Sequence, residues 1–202
     1  MPRQLRDQSA GLRHVMCRGN RGQRIFVDDL DRRRYLWLLD EACRRYGFRA
    51  AGYCLMTNHV HLVANVGAGT ISRGMQWLSG KYAQLFNRRH GVTGHLFQGR
   101  FRAEIVEDEA YAIDVVRYVD LNPVRARVVR EPADWPWSGH RALVGLQAPL
   151  PFHDVEGTLA LFSANRDAAQ TQYAKYVAER LRRRNPPVPD RSFHQNRGQT
   201  PG

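Results

Sequence analysis

The sequence predicts an α+β fold: an antiparallel four-stranded sheet in the ferredoxin-like split βαβ order, with two helices on one face. Three observations carry this. Stretches of period-two and period-3.6 hydrophobicity follow one another as strand, helix, strand, strand, helix, strand. The middle strands are separated by two turn-forming residues, Thr57 and Asn58, which marks a hairpin. Both long helices end at a glycine, Gly47 and Gly91.

In chain order, LRHVMCR (12–18) reads as the first strand and RGNRGQ (18–23) as an Arg/Gly-rich loop. Asp28 or Asp29 caps a helix reaching about Tyr46, with Leu30, Leu36, Leu38, Leu39 and Ala42 as its apolar stripe. FRAAGYCLM (48–56) and HVHLVANV (59–66) form the hairpin. Ile71, Met75, Leu78, Tyr82, Leu85 and Phe86 repeat at helical spacing through 71–91. After the loop GVTGHLFQG comes the alternating strand FRAEIVE (101–107). A further helix, 108–123, starts on Asp108 and is expected to stop at Pro123. The second face of the sheet is expected to remain open. Beyond it, 123–129 reads as a short helix, 132–140 as a Trp/Pro loop packing back, and 158–184 as containing an amphipathic helix. The expected organisation is a first domain over 1–140, a helical C-terminal extension over 141–184, and a Pro/Gly/polar tail over 185–202 outside any packed core.

The 202 residues carry a net charge of +12, and Lys81 and Lys175 are the only lysines. An arginine excess of this size points to a polyanionic partner. No apolar run reaches transmembrane length, and the N-terminus lacks a signal-peptide core, so nucleic acid is expected rather than a membrane. Cys17, Cys43 and Cys54 are odd in number and widely spaced, with neither a disulfide nor a zinc pattern. A reduced, cytoplasmic, nucleoid-associated protein is the matching expectation.

Within MTNHVHLVA (56–64), His59 and His61 lie two apart on a strand and so project from one face, where two imidazoles can hold one divalent ion. A solvent-facing strand that happens to carry two histidines is the plain alternative. Tyr118 and Asn122 are four apart and share a helical face. A metal on the histidine pair can polarise a phosphate oxygen, with Asn122 as a third ligand, and a deprotonated Tyr118 can attack phosphorus. Tyr118 also reads as an ordinary amphipathic tyrosine, and Tyr111, two turns earlier on roughly the same face, is a rival nucleophile.

CLMTNHVHLV, RYVDLNPVRARVV and RGNRGQRIF, in this order, resemble the HUH single-strand tyrosine transposases, specifically the REP-associated branch, over about residues 1–180. The resemblance implies a DNA endonuclease and strand transferase that cuts and rejoins single strands beside hairpins. It implies a 5′-phosphotyrosine on Tyr118, chosen over Tyr111 because the nucleophile stands four residues before the Asn that precedes proline. His59 and His61 become the pair that binds Mg²⁺ or Mn²⁺. Asn122 stands where transposon-borne relatives carry a Gln, one methylene longer. No nucleotide cofactor is implied, because the covalent link conserves the bond energy, and a monomer is implied rather than a dimer.

For DNA contact, Arg18 and Arg21 lie in the Arg/Gly loop, Arg100 and Arg102 flank Phe101, and Arg125 and Arg127 follow the tyrosine helix. Arg32, Arg33 and Arg34 read as a solvated helix face, and Trp135 and Trp137 either stack on bases or pack on the domain. Two rival functions remain: a catalytically silent binder of hairpin DNA or RNA, and a metal-dependent nuclease using activated water.

Overall fold

The computed structural model describes residues 9–182. The tail at 185–202 and the arginines at 183 and 184 lie outside the described residues. The sheet is built from β1 (Gly11–Arg18), β2 (Phe48–Leu55), β3 (His59–Val66) and β4 (Arg102–Ile105), in the order β2-β3-β1-β4 with every neighbouring pair antiparallel. Helices α1 (Asp29–Tyr46) and α2 (Thr70–His90) connect the strands as the split βαβ order requires.

Each helix boundary has a local cause. Asp28 accepts from the backbone N–H groups of Leu30 and Asp31 at the start of α1, and Gly47 ends it in the left-handed region at φ 68°. Arg89, near the end of α2, pairs with both Asp28 and Asp31, so the two helices are tied where one starts and the other stops. Tyr35, Leu38 and Leu39 of α1 and Met75, Leu78 and Tyr82 of α2 bury against Val15, Leu55, Val60 and Leu62 of the sheet.

The opposite face is not open. Helix α3 (Glu109–Arg125) lies across it, followed by α4 (His140–Leu143), α5 (Val155–Leu159) and α6 (Arg166–Arg182). A second core joins Cys54 and Val63 of the sheet to Val115, Val116 and Val119 of α3 and to Leu143, Leu159, Tyr173 and Val177 of the extension. A bulge in β2 sets the spacing: Ala50 pairs with Ala64 and Gly52 with Val63, so Ala51 is the extra residue. A Cβ on Gly52 would stand 3.2 Å from Val116, so the glycine lets α3 approach the strand.

Three further expectations are corrected. Pro123 does not stop α3, which runs on to Arg125. A proline leaves the carbonyl four residues back without its helical donor, here that of Val119. The Asn122 side-chain amide donates to Tyr118 O (2.8 Å) and reaches Val119 O (3.4 Å), so the gap is partly filled. Residues 123–129 are accordingly no separate helix: Ala126 caps α3, and Arg127 leaves in the left-handed region at φ 57°. Arg32 is not solvated but 8% exposed, its guanidinium stacked between Phe26, Trp135 and Trp137. The two tryptophans thereby pack on the domain, and Trp135 also donates to Leu55 O.

The extension also covers an edge of the sheet. Leu55 N donates to Trp137 O and Gly139 N to Tyr53 O, while Ala50 N donates to Phe152 O and Asp154 N to Ala50 O. The outer side of β2 is thus paired from both ends with residues of its own chain.

Candidate active site

The two histidines of β3 lie on the face covered by α3. Antiparallel register places His59 opposite Arg18 and His61 opposite Met16 on β1, with Arg102 of β4 beyond Met16 on the same face. The rings of His59 and His61 meet edge to face at 4.9 Å between centroids. Helix α3 brings Tyr118 against them, its ring 5.8 Å from His61 and perpendicular to it. The guanidinium of Arg125, two turns further on, lies over the Tyr118 ring at 4.8 Å.

A third histidine, missed in the sequence, completes the cluster. The ring of His14 on β1 lies edge to edge with that of His61, centroids 5.2 Å and planes 16° apart, and meets Tyr118 edge-on at 6.0 Å. Its Nε2 is 3.0 Å from His61 Nδ1. The two are 47 residues apart in sequence, and only the β1–β3 register joins them.

Burial holds these imidazoles neutral. It pushes His61 well below the ordinary histidine range, helped by the neighbouring His14, His59 and Arg125. His59 is pushed down to about 4 by burial and by Arg18, and His14 is lowered by burial against the opposing pull of Glu104.

A chain of bonds fixes the tautomer of His59. Asn58 donates through its amide nitrogen to Gly22 O at 3.0 Å, which orients the amide and turns Oδ1 toward His59 Nδ1 at 2.7 Å. His59 therefore carries its proton on Nδ1 and keeps a bare lone pair on Nε2, as a metal ligand requires. His59 with its bare Nε2, and His61 beside it, are imidazole donors of the type a divalent ion takes. Among the described residues no group of three or more His, Cys, Asp or Glu side chains is placed to hold one, so protein ligands beyond the pair must be of another type. Asn122 has its amide nitrogen committed to its own helix, which leaves Oδ1 as its available donor atom.

The basic residues form a rim. Arg18, Arg21, Arg100, Arg102, Arg125 and Arg127 are all exposed. Arg18, Arg102 and Arg125 border the histidine–tyrosine cluster. The loop carrying Arg21 is docked on the β2–β3 turn by Gly19 N to Asn58 O and Ile25 N to Thr57 O. Arg100 precedes β4, which begins at Arg102. Tyr111 sits two turns before Tyr118, exposed on the first turn of α3. His95 is exposed in the loop before β4.

The side of α3 away from the site is anchored in the extension. Asp120, fully buried, accepts from Tyr173 Oη (2.5 Å) and His140 Nδ1 (3.0 Å). Asp114 accepts from Tyr176 and pairs with Arg117, whose guanidinium lies 3.9 Å over the Tyr176 ring. The helix that presents Tyr118 is held from behind by charged hydrogen bonds to α4 and α6.

Comparison with known proteins places the cluster in context. A family model described as IS200-like transposase matches residues 8–122, a span that holds His14, His59, His61, Tyr118 and Asn122. The fold is similar to the structure of a REP-associated tyrosine transposase bound to a REP hairpin, with a TM-score of 0.60 and 17% identity over 75% of this chain and 89% of that one. A Deinococcus radiodurans protein described as a transposase aligns over 59% of this chain and 96% of its own, at 15% identity and a TM-score of 0.42. No curated protein matches the sequence.

Proposed function

The chain belongs to the IS200-like transposase family, and on that premise we propose that it cuts and rejoins single-stranded DNA beside hairpins, as a member of the REP-associated branch, with Tyr118 as the nucleophile. The observation that carries this reading is the packing of Tyr118 against His61, with His59 alongside and Arg125 over the phenol ring.

Tyr118 gives up its phenol proton to solvent, and the phenolate oxygen attacks the scissile phosphorus in line. The new bond joins Tyr118 to the 5′ phosphate, the P–O3′ bond breaks, and the departing 3′ oxygen takes up a proton. Arg125 steadies negative charge on the phenol oxygen as it develops. A 3′-OH attacking the phosphotyrosine reverses these steps and joins new ends without a nucleotide cofactor. His59 and His61 would hold the divalent ion, Mg²⁺ or Mn²⁺, with Asn122 Oδ1 as a further donor. When bound, that ion supplies positive charge to the phosphate oxygens. Arg18, Arg21, Arg100, Arg102, Arg125 and Arg127 grip the backbone on either side of the cut. The molecule works as a monomer, since Asp120 and Asp114 bind the tyrosine helix to its own chain's extension.

The test is incubation of the protein with single-stranded DNA carrying a hairpin and unpaired flanks, with Mg²⁺ or Mn²⁺, followed by a denaturing protein gel. A slower-migrating adduct is expected for the wild type and none for Tyr118→Phe, with hairpin affinity unchanged within about threefold, since phenylalanine keeps the ring that packs on His61. Cleavage that survives Tyr118→Phe without an adduct would show an activated water as nucleophile. Binding without cleavage under either ion would show a silent hairpin binder.

A further inference from the structure

We propose that His14 is the positioning residue for His61: its Nε2 accepts the Nδ1 proton of His61 and so reserves His61 Nε2 as the bare lone pair. The inference rests on the reading that His59 and His61 hold a divalent ion, and it assigns a role to a residue on a different strand.

The argument starts from tautomers. A neutral imidazole has one N–H and one lone pair, so the partner of one nitrogen decides the state of the other. Ligating histidines ordinarily donate their second nitrogen to a fixed acceptor, which sets both tautomer and ring orientation. For His59 that acceptor is Asn58 Oδ1 at 2.7 Å, itself oriented by the Asn58 amide bond to Gly22 O. For His61 the atom in the corresponding place is His14 Nε2, 3.0 Å from His61 Nδ1. The two ligands thus show the same arrangement, Nδ1 turned to a partner in the protein and Nε2 left over.

Two proton placements satisfy the His14–His61 contact. If His14 Nε2 carried the proton, His61 Nδ1 would accept it and His61 Nε2 would be protonated, useless to a metal. If His61 Nδ1 carries it, His14 must be protonated on its own Nδ1. Only the second placement matches the His59 arrangement.

His14 is a positioning residue rather than a third ligand. Its Nε2 is occupied by His61, the two rings lie edge to edge with their planes 16° apart, as an in-plane N–H bond requires, and the three histidines do not converge as a three-ligand group. A bond made in the plane of both rings also fixes the plane of His61, to which Tyr118 stands perpendicular. The fold holds His14 in place through strand pairing on both sides, opposite Val63 of β3 and Glu104 of β4.

Long-range ¹⁵N–¹H correlation spectra of the metal-free protein read the protonated nitrogen of each ring. The expected pattern is Nδ1–H on both His61 and His14. His61 protonated on Nε2 overturns the proposal. A second measurement is Mn²⁺ titration followed by the electron paramagnetic resonance of free Mn²⁺, in the wild type, His14→Gln, His14→Leu and His61→Ala. Glutamine places an acceptor oxygen near the His14 Nε2 position and is expected to keep Mn²⁺ affinity within about threefold, while leucine lowers it about 10- to 100-fold. Equal affinity in all three His14 forms would remove the role. A loss in His14→Gln as large as in His61→Ala would make His14 a ligand instead. Should His14→Leu fail to fold, the wild-type spectra decide. None of these measurements uses DNA, so failure of the Tyr118 cleavage test leaves this result standing, and the reverse holds too.

Discussion

Arg21 and Arg127 are the two non-glycine residues with positive φ among those described, at 52° and 57°. A left-handed backbone costs an L-residue about 1–2 kcal/mol, which glycine avoids at a smaller entropic cost of about 0.5–1 kcal/mol. Both arginines are exposed and border the proposed DNA path, so the strain is kept where a guanidinium is useful rather than where packing demands it. Arg127→Gly is therefore expected to stabilise the fold by about 0.5–1 kcal/mol in denaturant unfolding. It should also weaken hairpin binding and lower the salt slope by about one. A destabilised variant with unchanged DNA affinity would contradict the assignment. At this scale the sequence was partly legible. That His59 and His61 share a face is legible because strand alternation is local, and that Tyr118 and Asn122 share one because helical spacing is. His14 was not, because its partnership depends on register between strands far apart in the chain. Arg32 read as solvated because a helix face looks polar until two tryptophans a hundred residues later close over it.

Among the elements, α3 does two jobs on opposite sides: Tyr118 toward the histidines, Asp120 into the extension. Its distance from the sheet is set by the Ala51 bulge and the bare backbone of Gly52. Gly52→Val would drive methyl groups into Val116, and overpacking of this kind costs about 1–3 kcal/mol. The expected result is a lower denaturant midpoint together with cleavage reduced far more than hairpin binding, because the shifted helix carries the proposed nucleophile and not most of the rim. Equal losses in both would mean that α3 is not separately displaced. The helix start on Asp108 was readable from the capping residue, but its end was not. Pro123 signals a stop, and the sequence does not show that the amide nitrogen of Asn122, beside its reading as a candidate ligand, supports the helix past it. The cover over the second sheet face was equally hidden, since period-two alternation on β2 and β3 marks two faces without naming what lies on each.

For the molecule as a whole, the charge of +12 sets the electrostatics of binding. Six rim arginines neutralising one phosphate each would give a slope of about −4 to −5 in a plot of log affinity against log salt for hairpin DNA with single-stranded flanks. Measurement by anisotropy between 50 and 300 mM salt checks this, and a slope shallower than about −2 would mean that most of the rim stays clear of the backbone. The sequence announced the charge but not its arrangement, because Arg18, Arg102 and Arg125 come from three separate elements that meet only after the sheet is assembled.

Asn58 touches both halves of the proposed chemistry, holding the His59 ring with one end of its amide and the Arg21 loop with the other. A single planar group cannot answer to two partners independently. Any movement of the loop as it closes on a phosphate is felt by the ring, and any demand on the ring is felt by the loop. Thermodynamic reciprocity then requires that whatever factor DNA adds to ion affinity, the ion returns to DNA affinity. Part of that mutual reinforcement would pass through one amide, and the enzyme would be assembled for cutting only when strand and ion are present together.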